Sequence, residues 1–380
     1  MVVLRTFCVL CVALGCFLMN AWPLSSLGVE ASHQRGCADA AIRLEGAGTT
    51  TIYPLLSALI ELYDHEHPDT CISYRAVGSR AGVRMLSNRT AIFAVTDLAL
   101  TDEQLDSLKS SIIQIPIAIN AVVIIYNLPQ APSIRLSSSA IASIFLGKIT
   151  KWSDPAIVKD NPDIKLPELD IRVFQDFPDG SHDGNLNTTI ISDYLANSSP
   201  SFRDELDRRA KNWPLARIPY KGATGALGFV HSTPGAIGYT WWPGPHFREP
   251  IAVIGNNEGR YVTVSPQSVT SAGASAIAAV QSHPTDYRVS LTNTLGDSSY
   301  PIASFAWVAF YRGSEYKEEN RVVLDFVKWL LADGQELMRA QEYPVLPADL
   351  SRMELQYLNR MVSPESKART ARESEHTDTK

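Results

Sequence analysis

Gly46-Ala-Gly-Thr-Thr-Thr51 stands between the β-prone run Ile42–Leu44 and apolar residues Leu55, Leu56, Leu59, Ile60 and Tyr63 at helical spacing. The pattern predicts a strand, a glycine turn and a helix whose first turn is crowded with hydroxyls. Glycine lets backbone approach a ligand closely, and a helix N-terminus carries unpaired N–H groups. With three threonine hydroxyls beside them, such a turn forms a cradle for an oxyanion without a lysine. The chain repeats the pattern. Cys71-Ile-Ser-Tyr-Arg75 leads through Ala76-Val-Gly-Ser-Arg-Ala-Gly-Val83 into a helix carrying Val83 and Leu86. Ile92-Phe-Ala-Val-Thr-Asp97 is an apolar strand ending on a threonine and an acid. A fourth candidate turn lies between Ile171-Arg-Val-Phe174 and the helical run Thr188–Leu195. Successive strand–turn–helix units predict an α/β fold with ligand chemistry at the carboxyl ends of strands.

Other stretches predict the frame around these turns. Pro116–Tyr126 and Pro301–Tyr311 are continuous apolar runs of the kind found in strands covered on both faces. Leu324–Met338 reads as one helix with Leu324, Val327, Leu330 and Leu331 on one face. Trp241-Trp-Pro-Gly-Pro245 reads as a proline-broken turn after a strand at Ile237, its indoles either lining a cleft mouth or packing on the core. No internal repeat is found.

Composition excludes several classes. The net charge of −6, without a basic cluster, gives no footprint for nucleic acid. Arg5, the apolar run Phe7–Leu18 and the small residues at Val29-Glu-Ala31 predict a signal peptide over residues 1–31. No later segment approaches twenty uninterrupted apolar residues, so stable membrane insertion is not expected. Ala13-Leu-Gly-Cys16 is a faint lipidation pattern whose following residues are apolar rather than polar. Removing the leader takes Cys8, Cys11 and Cys16 with it and leaves Cys37 and Cys71. Asn88-Arg-Thr90, Asn187-Thr-Thr189 and Asn197-Ser-Ser199 match the short glycosylation pattern, which chance also supplies. Residues 363–380 are polar, charged and without aromatics, the composition of a disordered tail.

Enzyme and metal readings fail on geometry. Ser181, His182 and Asp183 are consecutive, whereas a catalytic triad converges from separate elements. Asp64-His65-Glu66-His67 reads as a solvated helix end before Pro68 rather than a metal site. Gly46–Thr51 has no following lysine and is no nucleotide-binding P-loop. The loop Asp176–Asn187 does not match the calcium-loop pattern. The chain is expected to be neither an enzyme nor a cofactor or metal carrier.

The four turns in this order resemble the phosphate-binding (PstS-type) subunits of bacterial phosphate ABC transporters. Ile144-Phe-Leu-Gly-Lys-Ile-Thr-Lys-Trp-Ser-Asp-Pro-Ala-Ile157, Pro234-Gly-Ala-Ile-Gly-Tyr239 and Tyr343-Pro-Val-Leu-Pro347 carry the resemblance through the rest of the chain, over roughly Ile42 to Leu350. It implies a two-lobed α/β periplasmic-binding-protein fold of type II, with a ligand cleft between lobes. Lobe one would take residues 38–117 and 292–362, and lobe two residues 118–291. It also implies phosphate or a similar oxyanion as ligand, an ABC permease as partner, and a monomeric protein that is secreted or periplasmic. Thr50 matches the first-loop hydroxyl, with Thr49 beside it. Ser79 matches the second-loop hydroxyl, with Arg80 beside it, and Asp97 matches the acceptor carboxylate. The fold further brings Cys37 and Cys71 onto neighbouring strands and so implies a disulfide in an oxidising compartment.

The fourth loop departs from the family, which reads Arg-Ser-Asp-Gly-Ser-Gly-Thr there. This chain reads Asp176-Phe-Pro-Asp-Gly-Ser-His-Asp-Gly-Asn-Leu-Asn187. One register puts Phe177 at the arginine position and the other puts Ser181 there, and neither supplies a guanidinium. Asp176, Asp179 and Asp183 would repel an anion if they face it, each by on the order of 1–4 kcal/mol. Arg80, or Lys221 before Gly222-Ala-Thr-Gly225, would be the compensating cation. The loop therefore also admits a second reading, a secreted recognition protein on this scaffold that has lost phosphate.

Overall fold

The structure is a computed structural model and describes residues 40–108, 112–128, 130–131, 133–176, 186–208, 219–220, 222–282, 287–312 and 317–362. Its centre is a seven-stranded sheet in the order β2-β1-β3-β12-β4-β9-β6. The strands are β1 (Ile42–Gly48), β2 (Thr70–Ala76), β3 (Phe93–Thr96), β4 (Ile112–Tyr126), β6 (Arg172–Val173), β9 (Ala236–Trp241) and β12 (Ala303–Tyr311). Short pieces form two smaller sheets. β5 (Arg135–Leu136), β10 (Val253–Gly255) and β11 (Tyr261–Val262) make one, and β7 (Gln175–Asp176) and β8 (Pro219–Tyr220) the other.

β1 pairs in parallel with both β2 and β3. Helices α1 (Tyr53–Glu66) and α2 (Ser79–Ser87) make the two connections, as parallel strands require a crossover. α1 has Pro54 in its first turn, where the missing N–H costs nothing. It buries Leu56, Leu59, Ile60 and Tyr63, four of the five residues whose spacing predicts it.

β4 explains the shape of the sheet. Over its 15 residues it pairs antiparallel with β12 as far as Ala121 and with β9 from Val122 onward. One strand thus serves two half-sheets and changes partner at a single point. All nine residues of β12 are buried, as are most of β4, so the apolar runs cover both faces.

Two sequence expectations are corrected. Gly46, Ala47 and Gly48 belong to β1, which runs on past Leu44, and the turn proper begins at Thr49. Pairing with β2 and β3 keeps them extended, and the two glycines are there because larger residues would collide. A Cβ on Gly46 would lie 2.1 Å from the Phe93 ring, and one on Gly48 would lie 1.9 Å from the Val95 carbonyl oxygen. The helix expected over Leu324–Met338 is two helices, Lys317–Leu331 and Asp333–Ala340, parted at Ala332 (φ −113°, ψ −93°). Gln335 holds the break. Its amide donates to the Ile117 and Leu330 carbonyls and its oxygen accepts from the Leu346 N–H, an attachment one straight helix could not make.

The C-terminal helix Ala348–Val362 carries an unusual residue. Glu354 is fully buried and, among the described residues, neither carboxylate oxygen has a hydrogen-bond partner, nor has the Ser351 hydroxyl one turn earlier. Burial pushes the Glu354 carboxyl far above the usual carboxylate range. Burial, then the Glu354 and Tyr357 charges, pushes the Tyr287 phenol up.

Candidate functional site

The carboxyl ends of β1 and β3 and the start of α2 meet at Asp97. Gly48 allows the meeting: at φ +145° it lets the chain leave β1 beside Val95, and Thr49 N–H donates to the Val95 carbonyl at 2.8 Å. Gly78, at φ +87°, turns the chain into α2 and donates its N–H to the Gly48 carbonyl at 2.7 Å. Gly82 completes the packing, since a Cβ there would come within 2.5 Å of the Gly48 Cα.

Asp97 is 4% exposed and accepts hydrogen bonds from four side chains. On Oδ2 these are the hydroxyls of Thr49 (2.5 Å), Thr51 (3.1 Å) and Ser79 (3.2 Å); on Oδ1 it is the Asn120 amide (3.0 Å). Its backbone is fixed too. The Asp97 N–H donates to Ser79 Oγ at 3.3 Å and its carbonyl accepts from Ser304 Oγ at 2.8 Å. Desolvation raises the carboxyl pKa, and the bonds from Thr49, Thr51, Ser79 and Asn120 oppose the rise. Tyr74 closes one side. Its hydroxyl donates to the Thr49 carbonyl at 3.1 Å, and burial, then the Asp97 charge, pushes its phenol up.

A carboxylate has about four lone-pair sites. Three hydroxyls crowd Oδ2 and one amide reaches Oδ1, so Oδ1 keeps capacity for one further hydrogen. Hydroxyls rotate, so the three that now point at Asp97 can be redirected to an incoming oxyanion at the first turn of α2.

The placement of the expected residues is mixed. Thr49, Ser79 and Asp97 are together. Thr50, matched to the first-loop hydroxyl, is exposed between Thr49 and Thr51, and the hydroxyls on Asp97 are those of its two neighbours. The turn at 49–52 points alternate threonines inward. Arg80 is exposed on α2. Ser181, Phe177, Asp179, Asp183 and Lys221 lie outside the described residues, as does Cys37; Asp176 is within β7. Sequence reasoning passed over Asn120 and Ser304. Each is a lone polar residue inside a continuous apolar run, and that isolation is itself the signal. Among the described residues, no cluster of His, Cys, Asp and Glu could hold a metal ion.

A cavity of about 210 Å³ adjoins this group. Thr51 and Asn120, both bonded to Asp97, form its polar end. The rest of the lining is aliphatic, proline or aromatic, including Leu55, Ile119, Trp241, Trp242 and Tyr343. The cavity sits where β4 changes partner, since Asn120 and Ala121 line it and Trp241 pairs with Val122. Both indoles line the cavity; Trp242 is also largely buried and packs on the core, whereas Trp241 is partly exposed.

The sequence matches the PBP superfamily domain over residues 35–334. It is 30% identical over 327 residues to the phosphate-binding protein PstS of Methanocaldococcus jannaschii, covering 79% of this chain and 81% of that protein. It is 28% identical over 313 residues to the phosphate-binding protein PstS of Xylella fastidiosa, covering 81% and 83%. A solved phosphate-binding protein from Stenotrophomonas maltophilia superposes with a TM-score of 0.60 at 17% identity, over 83% of this chain and 93% of that one. At that identity the superposition speaks to the fold alone.

Proposed function

Because this chain belongs to the PBP superfamily, we propose that it is an extracytoplasmic solute-binding protein that captures inorganic phosphate or a similar oxyanion without catalysis. The carrying observation is the convergence of the Thr49, Thr51 and Ser79 hydroxyls on the one buried carboxylate of Asp97, at a helix N-terminus. Neutral donors around a single acceptor suit an anion that arrives with a hydrogen of its own: the acid takes the hydrogen and the hydroxyls and amides take the charge. That relatives are named phosphate-binding proteins supports phosphate as the ligand; an ABC permease as partner is what the sequence resemblance implies. The same names, and the intact Asp97 group, favour capture over a recognition protein that has lost its ligand.

In this reading residues 1–31 are removed on export. The mature protein then divides into lobe one (residues 38–117 and 292–362) and lobe two (118–291), and works as a monomer. The change of β4 partner after Ala121 supports a junction close to that division. No described helix is long and apolar enough to cross a membrane. Cys37 pairs with Cys71; the standing of Cys71 as a half-cystine, buried near the start of β2, supports this.

Calorimetric titration of the purified chain with inorganic phosphate tests the proposal. A saturable heat is expected, with affinity reduced at least tenfold in Asp97→Asn, since a hydrogen bond to a charged group is worth about 1.5–3 kcal/mol. Without a fourth-loop arginine the affinity is expected to be weak, and Arg80→Ala reports whether Arg80 compensates. Absence of heat at millimolar phosphate would defeat the capture reading.

A further inference from the structure

The cavity beside Asp97 is too large and too apolar for inorganic phosphate alone. A water's share of liquid volume is about 30 Å³, so about 210 Å³ has room for roughly seven waters, more than a small tetrahedral anion displaces. Its walls offer such water little. Among the described residues Thr51 and Asn120 are the polar exceptions, and both are engaged with Asp97. The Trp241, Trp242 and Tyr343 side chains present large apolar bodies with a polar atom each. An anion gains nothing against such walls, whereas an apolar group gains by leaving water.

We infer that the site takes a phosphate monoester, its phosphoryl group at the hydroxyls around Asp97 and an apolar, ring-sized substituent in the cavity between Trp241, Trp242 and Tyr343. The inference rests on the oxyanion reading above and adds the class of ligand to it. The link between the two halves is physical. Thr51 and Asn120 both hydrogen-bond Asp97 and line the cavity, so a substituent on a phosphoryl oxygen held by these hydroxyls is one residue away from the cavity. The hydrogen bonding carries over from phosphate to its ester. A phosphomonoester, with a second pKa of about 6, carries one P–O–H hydrogen as the monoanion, and Asp97, which accepts from four side chains, accepts that hydrogen as it would from inorganic phosphate.

Calorimetry of the full chain with inorganic phosphate, phenyl phosphate and phenol tests this. Phenyl phosphate is expected to bind roughly ten- to hundredfold more tightly than phosphate, the gain expected from burying a ring-sized apolar surface, with phenol giving no heat. Trp241→Ala is expected to bring the ratio of the two affinities close to one, and Trp241→Phe to keep most of it. If the alanine variant loses its circular dichroism spectrum, the phenylalanine variant and Tyr343→Leu carry the comparison. Phosphate binding with phenyl phosphate no tighter, or excluded, overturns the inference while capture stands; the cavity is then only the open part of a cleft that closes on phosphate. Phenol binding as tightly as phenyl phosphate also overturns it, because the ring would then bind without the anion. If neither phosphate nor its ester binds, capture itself falls.

Discussion

Replacing Glu354 is expected to stabilise this protein, and increasingly so as pH rises. The side chain is fully buried in the helix Ala348–Val362 and neither oxygen is hydrogen-bonded among the described residues. The buried Tyr287 phenol feels its charge, the half-buried Tyr357 lies next to that phenol, and Arg360 and Arg312 act on the two phenols. In the unfolded chain the carboxyl titrates near the usual pKa of about 4.3; in the folded protein burial holds it well above that. A group with a raised folded pKa gives stability that is fully present below the unfolded value and is lost as pH rises through the folded one. The loss runs at up to about 1.4 kcal/mol per pH unit while the folded side chain stays neutral and the unfolded one is charged. Glu354→Gln removes that slope. Glu354→Met also removes the unpartnered oxygens, whose burial costs about 1–3 kcal/mol, at nearly the same volume. Urea unfolding followed by tryptophan fluorescence at pH 5, 7 and 9 measures both. The wild-type midpoint should fall against Glu354→Gln across the series, by up to about 2.7 kcal/mol between pH 5 and 7, with Glu354→Met the most stable of the three at pH 7. Parallel pH curves for wild type and Glu354→Gln would refute the reasoning, because they would mean that Glu354 ionises alike in the folded and unfolded chain.

Two further outcomes follow from the fold. Gly48→Ala places a Cβ 1.9 Å from the Val95 carbonyl at φ +145° and should cost about 2–6 kcal/mol from backbone strain and overpacking together. Gly78→Ala, with nothing described within 4 Å of the added Cβ but a backbone at φ +87° and ψ +149° that essentially only glycine adopts, should cost about 1–3 kcal/mol from backbone strain alone, and equal midpoints for the two variants in chemical unfolding would contradict this account. The proposed Cys37–Cys71 bond should appear as a two-hydrogen mass deficit in the unreduced protein, and Cys71→Ser should lose about 3 kcal/mol for a closed loop of about thirty residues. Alkylation of both thiols in denatured but unreduced protein would count against it.

The sequence carries the strand–turn–helix succession plainly because it rests on local chemistry: apolar spacing in α1, proline in its first turn, and glycine where the backbone needs a positive φ at Gly48 and Gly78. It carries Ser79 and Asp97 for the same reason, since each directly ends or begins an element. It does not separate Thr49 and Thr51 from Thr50. Three identical residues in a turn have no periodicity, and only the folded backbone decides which of them face Asp97. Asn120 and Ser304 were hidden by their setting, where the apolar runs of β4 and β12 dominate the reading and the polar exceptions pass as noise. The break at Ala332 depends on Gln335 reaching Ile117 and Leu346, contacts made only after distant segments meet.

The position of β12 has a consequence for the order in which the molecule can come together. That strand lies between β3 and β4, although both are complete about 180 residues before Tyr311 is reached. At a synthesis rate of about 5–20 residues per second, the ribosome needs roughly 10–40 s to supply the missing neighbour. Until then β3 and the first part of β4 each lack a hydrogen-bonded partner on the side that β12 will occupy, and the Asp97 carbonyl lacks the Ser304 hydroxyl. The early part of the chain therefore cannot finish its sheet, or fix its acid, before the late part has been made.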